Sequence, residues 1–207
     1  CDGCTAATRL EWAVRMTHES QCHKQNCFVT LTYNDENCPD KINRADPQLF
    51  LKRLSRKLGH RIRYFLTGEY GDKTHRPHYH AILFGVDFLG NSYPINNELY
   101  GNKHLDQIWS KGNTSIAEFN MATAMYTAGY TAKKIKDPDT FSVMSRRPPL
   151  GRAWLQKNYS TIINLDKCII NGQEFPVPKA YMRWLSGVEE IDELKEEREI
   201  PNRLTDQ

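Results

Sequence analysis

Two strand-like runs joined by a turn-forming segment constrain the fold of this chain more than any other feature. Residues 61–70 and 78–86 contain β-branched and aromatic side chains, whereas residues 71–77 between them contain glycine, aspartate and proline. This composition predicts a β-hairpin, in which two antiparallel strands lie side by side. The chain is therefore expected to contain an antiparallel sheet.

Other periodic patterns predict the elements around this hairpin. Helices are predicted over 5–23, 46–58, 105–110 and 121–135, and strands over 27–33 and 114–119. In the second helix, Asp46-Pro47 is expected to supply the N-cap and first-turn proline, with Leu49 facing inward. The order of elements predicts an α+β fold: a central antiparallel sheet with helices packed on one face.

The chain divides by composition into three predicted segments. Residues 1–136 form the core, including the N-terminal helix. Residues 137–186 form a basic, proline-stiffened loop and a small β extension packed on that core, with a hairpin turning at Asn171-Gly172. Residues 187–207 carry eight acids and three bases and are expected to form an acidic helix or tail.

Composition excludes several classes of protein. Apolar side chains make up 39% of the 207 residues, which is ordinary for a globular protein with a packed core. No run approaches the roughly 18–20 uncharged apolar residues of a membrane span. The N-terminus lacks the basic-then-apolar pattern of a signal peptide, although a chain that begins at Cys1 can start inside a longer product. We expect a protein that acts inside the cell.

Six cysteines occur at positions 1, 4, 22, 27, 38 and 168. Because a chain of this length does not need disulfides to fold, free thiols are expected. Cys1 and Cys4, with the later cysteines and His23, offer a weak alternative pattern for structural zinc.

Basic side chains are concentrated outside the acidic tail, where 25 bases face 17 acids. Such groups gain affinity for nucleic acid by neutralising phosphates and releasing counterions, although a solvated helix face has the same composition. The candidate DNA-binding residues are Lys52, Arg53, Arg56, Lys57, Arg61, Arg63, Arg146, Arg147 and Arg152. Tyr79 and Trp109 are candidates for stacking on bases.

The candidate metal ligands are Glu69, His78 and His80. Side chains two residues apart on a strand point to the same face, so the two imidazoles can chelate one divalent ion. A bare His-x-His pair is as easily a pair of exposed strand histidines. Glu69 at the end of the preceding strand adds a carboxylate and leaves positions open for water and a phosphate oxygen. This ligand set suits Mn²⁺ or Mg²⁺ acting on phosphate. Nearby His75 falls in the loop and is expected to be a bystander or a substrate contact.

The candidate catalytic residues are Tyr126, Tyr130 and Lys133. Spacings of four and three place them on one face of a helix. An aromatic stripe at this spacing usually packs in a core. The small residues between the tyrosines, and a lysine on the same face, favour a site instead. A nearby cation can favour a phenolate nucleophile or offset transition-state charge.

These segments resemble the motifs of the HUH replication initiators. Phe28–Thr32 is similar to their first motif and Pro77–Leu83 to their His-hydrophobic-His motif. Tyr126–Lys133 is similar to the two-tyrosine third motif, and Glu69 stands where the third ligand does in related viral initiators. Longer runs at 68–72, 76–80 and 145–148 resemble initiators of the gokushoviruses, a branch of the microviruses. The expected further cysteine near position 5–8 is absent, which weakens the zinc interpretation.

The resemblance implies an RRM-like HUH core and a metal-dependent nickase of rolling-circle replication. One tyrosine would cut single-stranded origin DNA, presented as a hairpin or in a supercoiled duplex. It would leave a free 3′-OH and a 5′-phosphotyrosine, and the second tyrosine would allow rejoining without ATP. The implied setting is the cytoplasm of a bacterial host, with host helicase and polymerase as candidate partners and no membrane. The alternatives are an HUH transposase or relaxase-like nickase, and a non-catalytic single-stranded DNA-binding module.

Overall fold

The fold is built on one large antiparallel sheet. The computed structural model describes residues 2–72, 74–133 and 139–186. Its helices are α1 (Asp2–Ser20), α2 (Ala45–Leu58), α3 (Lys103–Trp109), α4 (Met121–Lys133), α5 (Arg152–Leu165) and α6 (Lys179–Leu185). Its strands are β1 (Asn26–Tyr33), β2 (Arg63–Tyr70), β3 (Pro77–Phe84), β4 (Tyr93–Pro94), β5 (Tyr100–Gly101), β6 (Gly112–Glu118), β7 (Phe141–Met144), β8 (Cys168–Ile170) and β9 (Gln173–Phe175).

Seven strands form the main sheet in the order β4-β5-β6-β1-β3-β2-β7. Every pair in it is antiparallel. The predicted hairpin is present as β2 and β3, and both lie in the interior of the sheet. The α+β class predicted from the sequence is therefore confirmed.

Helices cover both faces of the sheet, so the expectation of one covered face was wrong. On one face, Phe50 of α2 and Trp109 of α3 pack against odd-numbered strand residues such as Tyr79. On the other, Met16 of α1 and Ala128 of α4 pack against even-numbered residues of β1 and β3 and odd-numbered residues of β2. Because the strands carry apolar residues on both faces, each face needs a helical layer.

The start and the buried face of α2 also differ from expectation. Arg44 is the N-cap, and Asp46 lies inside the first turn, where its carboxylate accepts hydrogen bonds from Tyr33 and Asn43. Leu51 is buried, whereas Leu49 is 43% exposed.

The C-terminal elements pack on α1. Leu155, Ile162 and Tyr181 from α5 and α6 share an apolar cluster with Val14 of α1. The small hairpin predicted at Asn171-Gly172 is confirmed as β8 and β9, and both turn residues have the positive φ of a type I′ turn. The predicted division into three segments stays a prediction, and its acidic tail lies outside the described residues.

Across the part of the chain that is described, no helix is long and apolar enough to cross a membrane. The described cysteines (Cys4, Cys22, Cys27, Cys38 and Cys168) are free thiols, as predicted.

Candidate active site

Strand geometry brings Glu69, His78 and His80 together on the face covered by α1 and α4. Glu69 of β2 is directly opposite His78 of β3 in the antiparallel register. His80 lies two residues further along and therefore points to the same side. The Nε2 atoms of His78 and His80 are 3.0 and 3.1 Å from the same Glu69 oxygen, Oε1.

The three side chains fit a divalent metal ion. Each offers one ligand atom, and the three atoms lie within 4.8 Å of one another. Two imidazoles and one carboxylate are a donor set that suits several divalent ions. Within residues 2–72, 74–133 and 139–186 this is the one such cluster, and it contains no cysteine. The site can therefore hold a metal ion, whose identity the geometry leaves open.

The electrostatics of the cluster favour charged groups. Burial raises the pKa of the Glu69 carboxyl, but hydrogen bonds from His78, His80 and Tyr130 outweigh burial and lower this pKa to about 2. Burial lowers the pKa of His78, but its bonds to Glu69 and to the Arg76 carbonyl raise it above the ordinary value. His78 Nδ1 lies 3.3 Å from that carbonyl, so both ring nitrogens face acceptors and both carry protons. A divalent ion would replace this positive charge.

Helix α4 places both candidate nucleophiles against His80. The rings of Tyr126 and Tyr130 lie 5.2 and 5.4 Å from the His80 ring, centre to centre. Tyr126 is 47% exposed, whereas Tyr130 is 6% exposed. Burial and hydrogen bonds with Tyr126 and Glu69 raise the pKa of Tyr130. The two phenols therefore share one site but differ in access. The backbone of Lys133 belongs to α4, and its side chain lies outside the described part of the structure.

Strand β1 contributes two side chains whose roles were not assigned from the sequence. Thr30 is directly opposite His80, and its Oγ1 lies 3.0 Å from His80 Nδ1. The Phe28 ring stacks on His80 at 5.5 Å and meets Tyr126 edge-on at 6.0 Å. Their alternation with buried Val29 and Leu31 places both on this face, but strand pairing was needed to identify His80 as their neighbour.

The candidate DNA-binding residues do not form one surface. Lys52, Arg53, Arg56 and Lys57 are exposed on α2, which covers the face opposite the histidines. Arg61, Arg63, Arg146 and Arg147 line an open groove of about 600 Å³ at the β2–β7 edge.

Two of the candidate bases are engaged within the protein. The Arg63 guanidinium donates hydrogen bonds to Glu19 and, at 3.0 Å, to the Pro148 carbonyl. Arg152 lies over the Trp184 ring at 5.4 Å. DNA contact by any of the nine residues stays a prediction.

The suggestion that Tyr79 or Trp109 stacks on bases was wrong. Both side chains are in the core, with exposed fractions of 0% and 1%. The Tyr79 hydroxyl donates to the Asn43 carbonyl at 2.8 Å, and the Trp109 indole donates to the Thr32 carbonyl at 2.9 Å. A base cannot reach either ring. His75 stands in the loop as expected and stacks on Tyr70 at 4.6 Å.

Comparison with known proteins places this geometry in a family. The sequence pattern of the replication-associated protein ORF2 family matches residues 26–135, more than half of the chain. The chain belongs to this family. The matched range runs from β1 through α4 and so contains the three predicted motifs. The predicted relationship to phage replication proteins is therefore confirmed.

Individual relatives of the chain come from bacteriophages and related viruses. The chain is 32% identical to replication-associated protein VP4 of Bdellovibrio phage phiMH2K, over 89% of this chain and 65% of the relative. It is 30% identical to replication-associated protein ORF2 of Spiroplasma virus 4, over 96% of this chain and 71% of the relative. For replication-associated protein ORF4 of Chlamydia phage 1 the identity is 28%, over 87% and 51%. The chain thus spans between about half and about 70% of the length of these relatives. No solved structure matches it.

Proposed function

We propose that this chain initiates rolling-circle replication by nicking single-stranded origin DNA with a tyrosine and a divalent metal ion. The observation that carries the proposal is the packing of two tyrosines, Tyr126 and Tyr130, against one ring of a Glu-His-His metal cluster. The similarity to replication-associated proteins of phages supports the same role. Mn²⁺ and Mg²⁺ are the ions we expect.

Glu69, His78 and His80 would hold the metal ion on the sheet surface. When bound, the ion supplies Lewis-acid stabilisation of charge on the scissile phosphate. His78 and Glu69 are fixed by the β2–β3 register, so these ligands need little rearrangement before they bind. Preorganised ligands of this kind reduce the reorganisation required during the reaction.

A tyrosine would act as the nucleophile. Its phenol oxygen forms a bond to phosphorus while the bond from phosphorus to the 3′ oxygen breaks. The phenol loses its proton, and the departing 3′ oxygen gains one. The product is a 5′-phosphotyrosine, which retains the energy of the phosphodiester for a later joining step. The resemblance assigns Lys133 to stabilising the charge that develops.

Two tyrosines on one face allow a cut to be followed by a second cut. Tyr126 and Tyr130 are one helical turn apart, with ring centres 5.1 Å apart. A strand attached to one tyrosine therefore stays within reach of the other. The second tyrosine would cut the regenerated origin, and the released 3′-OH would then attack the first phosphotyrosine and close a circle.

DNA contacts outside the chemical centre would come from the candidate basic residues. Of these, Arg61, Arg146 and Arg147 line the groove at the β2–β7 edge and are exposed. The proposed place of action is the cytoplasm of the bacterial host, where host helicase and polymerase would extend the free 3′-OH.

The experiment incubates the protein with Mn²⁺ and overlapping single-stranded oligonucleotides that cover the genome encoding it. We expect a covalent protein–DNA adduct, visible on a denaturing gel, that disappears in the Tyr126→Phe, Tyr130→Phe double variant. Tyr93→Phe is the matched control, because Tyr93 is 44% exposed and lies on β4, outside the site. An adduct that survives in the double variant contradicts the proposal.

The histidines separate chemistry from binding. His78→Ala and His80→Ala should abolish cleavage while single-stranded DNA still binds. DNA binding with no cleavage by the wild type under any divalent ion would favour the non-catalytic binding module. Cleavage confined to the ends of a mobile element would favour the transposase or relaxase alternative.

A further inference from the structure

The segment Phe28–Thr30 of β1 holds one metal ligand in place. This inference rests on the proposed metal site and assigns a role to a segment that the nicking reaction itself does not use. Thr30 and Phe28 alternate on β1 and point to the same face as the histidines. Both contact His80 and neither contacts the metal-facing side of Glu69 in any described hydrogen bond or ring pair.

The orientation of His80 depends on its Nδ1 atom. Nε2 of this ring faces Glu69 at 3.1 Å, so Nε2 is the atom that can bind a metal ion. To offer a lone pair there, the neutral ring must carry its proton on Nδ1. The Thr30 hydroxyl oxygen lies 3.0 Å from Nδ1 and can accept a hydrogen bond from it.

His80 and His78 differ in what lies behind them. The Arg76 carbonyl behind His78 can only accept a hydrogen bond, whereas the Thr30 hydroxyl can donate or accept. Without a metal ion, Nε2 of His80 keeps its proton for Glu69 and the Thr30 hydroxyl donates to Nδ1. With a metal ion, the ring proton is on Nδ1 and the hydroxyl accepts from it.

Ring packing restricts the remaining freedom of His80. Phe28 and Tyr130 both lie nearly parallel to the imidazole, with interplanar angles of 14° and 12°. Phe28 also touches Tyr126 edge-on, so one side chain contacts both a metal ligand and a candidate nucleophile. Rotation of the imidazole away from Glu69 would disrupt these contacts.

We propose that Thr30 is a positioning residue that fixes the metal-binding tautomer of His80, with Phe28 as the platform for its ring. Partners in this position hold metal-ligating histidines in proteins generally, and their loss lowers metal affinity by about 10- to 100-fold. The role is specific to the hydroxyl, so it makes different predictions for valine and serine at position 30.

The test measures Mn²⁺ affinity by titration calorimetry in wild type and three variants. Thr30→Val keeps the β-branched shape without the hydroxyl and should weaken binding by about tenfold or more. Thr30→Ser keeps the hydroxyl and should bind nearly as wild type. Thr32→Val is the matched control, since the Thr32 hydroxyl lies on the same strand but donates to the Asn113 carbonyl at 3.0 Å. Its affinity should not change.

Equal Mn²⁺ affinity of wild type and Thr30→Val overturns the inference, as does an equal loss in the valine and serine variants. A wild type that binds no Mn²⁺ contradicts the metal site itself and thus the proposed function. Nitrogen NMR of the folded wild type loaded with diamagnetic Zn²⁺ gives a second measurement that needs no variant. We expect His80 to be protonated at Nδ1, and protonation at Nε2 in that state contradicts the inference.

Discussion

Glu19 connects three parts of the fold, and its removal should cost measurable stability. This carboxylate is buried on α1 and accepts hydrogen bonds from Arg63, from His23 at 3.2 Å and from the Gly151 backbone at 2.8 Å. Burial raises its pKa, but these bonds outweigh burial and lower it to about 2 from the ordinary 4.5. A shift of this size corresponds to about 3 kcal/mol of stability at pH 7.

The sign of the pH dependence follows from a pKa that is lower in the folded state. The contribution of Glu19 is fully present above about pH 4.5 and is lost as the pH falls toward 2. At pH 3 about 1.5 kcal/mol of it should remain. Glu19→Gln should therefore lower the free energy of unfolding by about 3 kcal/mol at pH 7 and by roughly half as much at pH 3.

Urea unfolding followed by circular dichroism measures this difference at the two pH values. Glu174→Gln is the control, because Glu174 is 65% exposed and its ion pair with Lys167 is at the surface. Pairs of that kind contribute about 0–1 kcal/mol. A Glu19→Gln effect that is as small as the control, or the same at pH 7 and pH 3, would refute the reasoning.

Three further predictions concern the sheet, the core and the metal. Gly68→Ala should destabilise the protein by about 1–3 kcal/mol in urea unfolding, because an added Cβ would stand 2.7 Å from the Phe141 ring and 2.9 Å from Ile42. Tyr79→Phe should cost about 1 kcal/mol through the lost bond to Asn43 and leave single-stranded DNA affinity unchanged; weaker DNA binding with unchanged stability would restore the base-stacking role. EDTA should abolish cleavage reversibly with no loss of secondary structure by circular dichroism, whereas unfolding on chelation would indicate a structural metal.

Much of the site could be predicted because strand geometry is local. The two-residue spacing of His78 and His80 fixes their common face, and a short turn between the strands places Glu69 nearby. Tyr126 and Tyr130 share a face for the equivalent reason on a helix. The contact of Thr30 with His80 depends instead on pairing between β1 and β3, which are far apart in sequence.

Parts of the fold that depend on tertiary packing were not predictable in the same way. The sequence of β2 and β3 is apolar on both faces, but nothing local shows that α2 covers one and α4 the other. For the same reason the basic block on α2 and the histidines could not be assigned to opposite faces. Helix α5 begins after Gly151 without a side-chain cap, so the usual start signal is missing.

The most direct test of the central claim is to locate the DNA on the protein. The adduct formed with Mn²⁺ is digested with trypsin and nuclease, and the peptide that retains a nucleotide is sequenced by mass spectrometry. We expect a nucleotide linked by its 5′-phosphate to Tyr126 or Tyr130, with none on Tyr93. A nucleotide linked to a serine, a lysine or a tyrosine outside α4 would contradict the proposed mechanism.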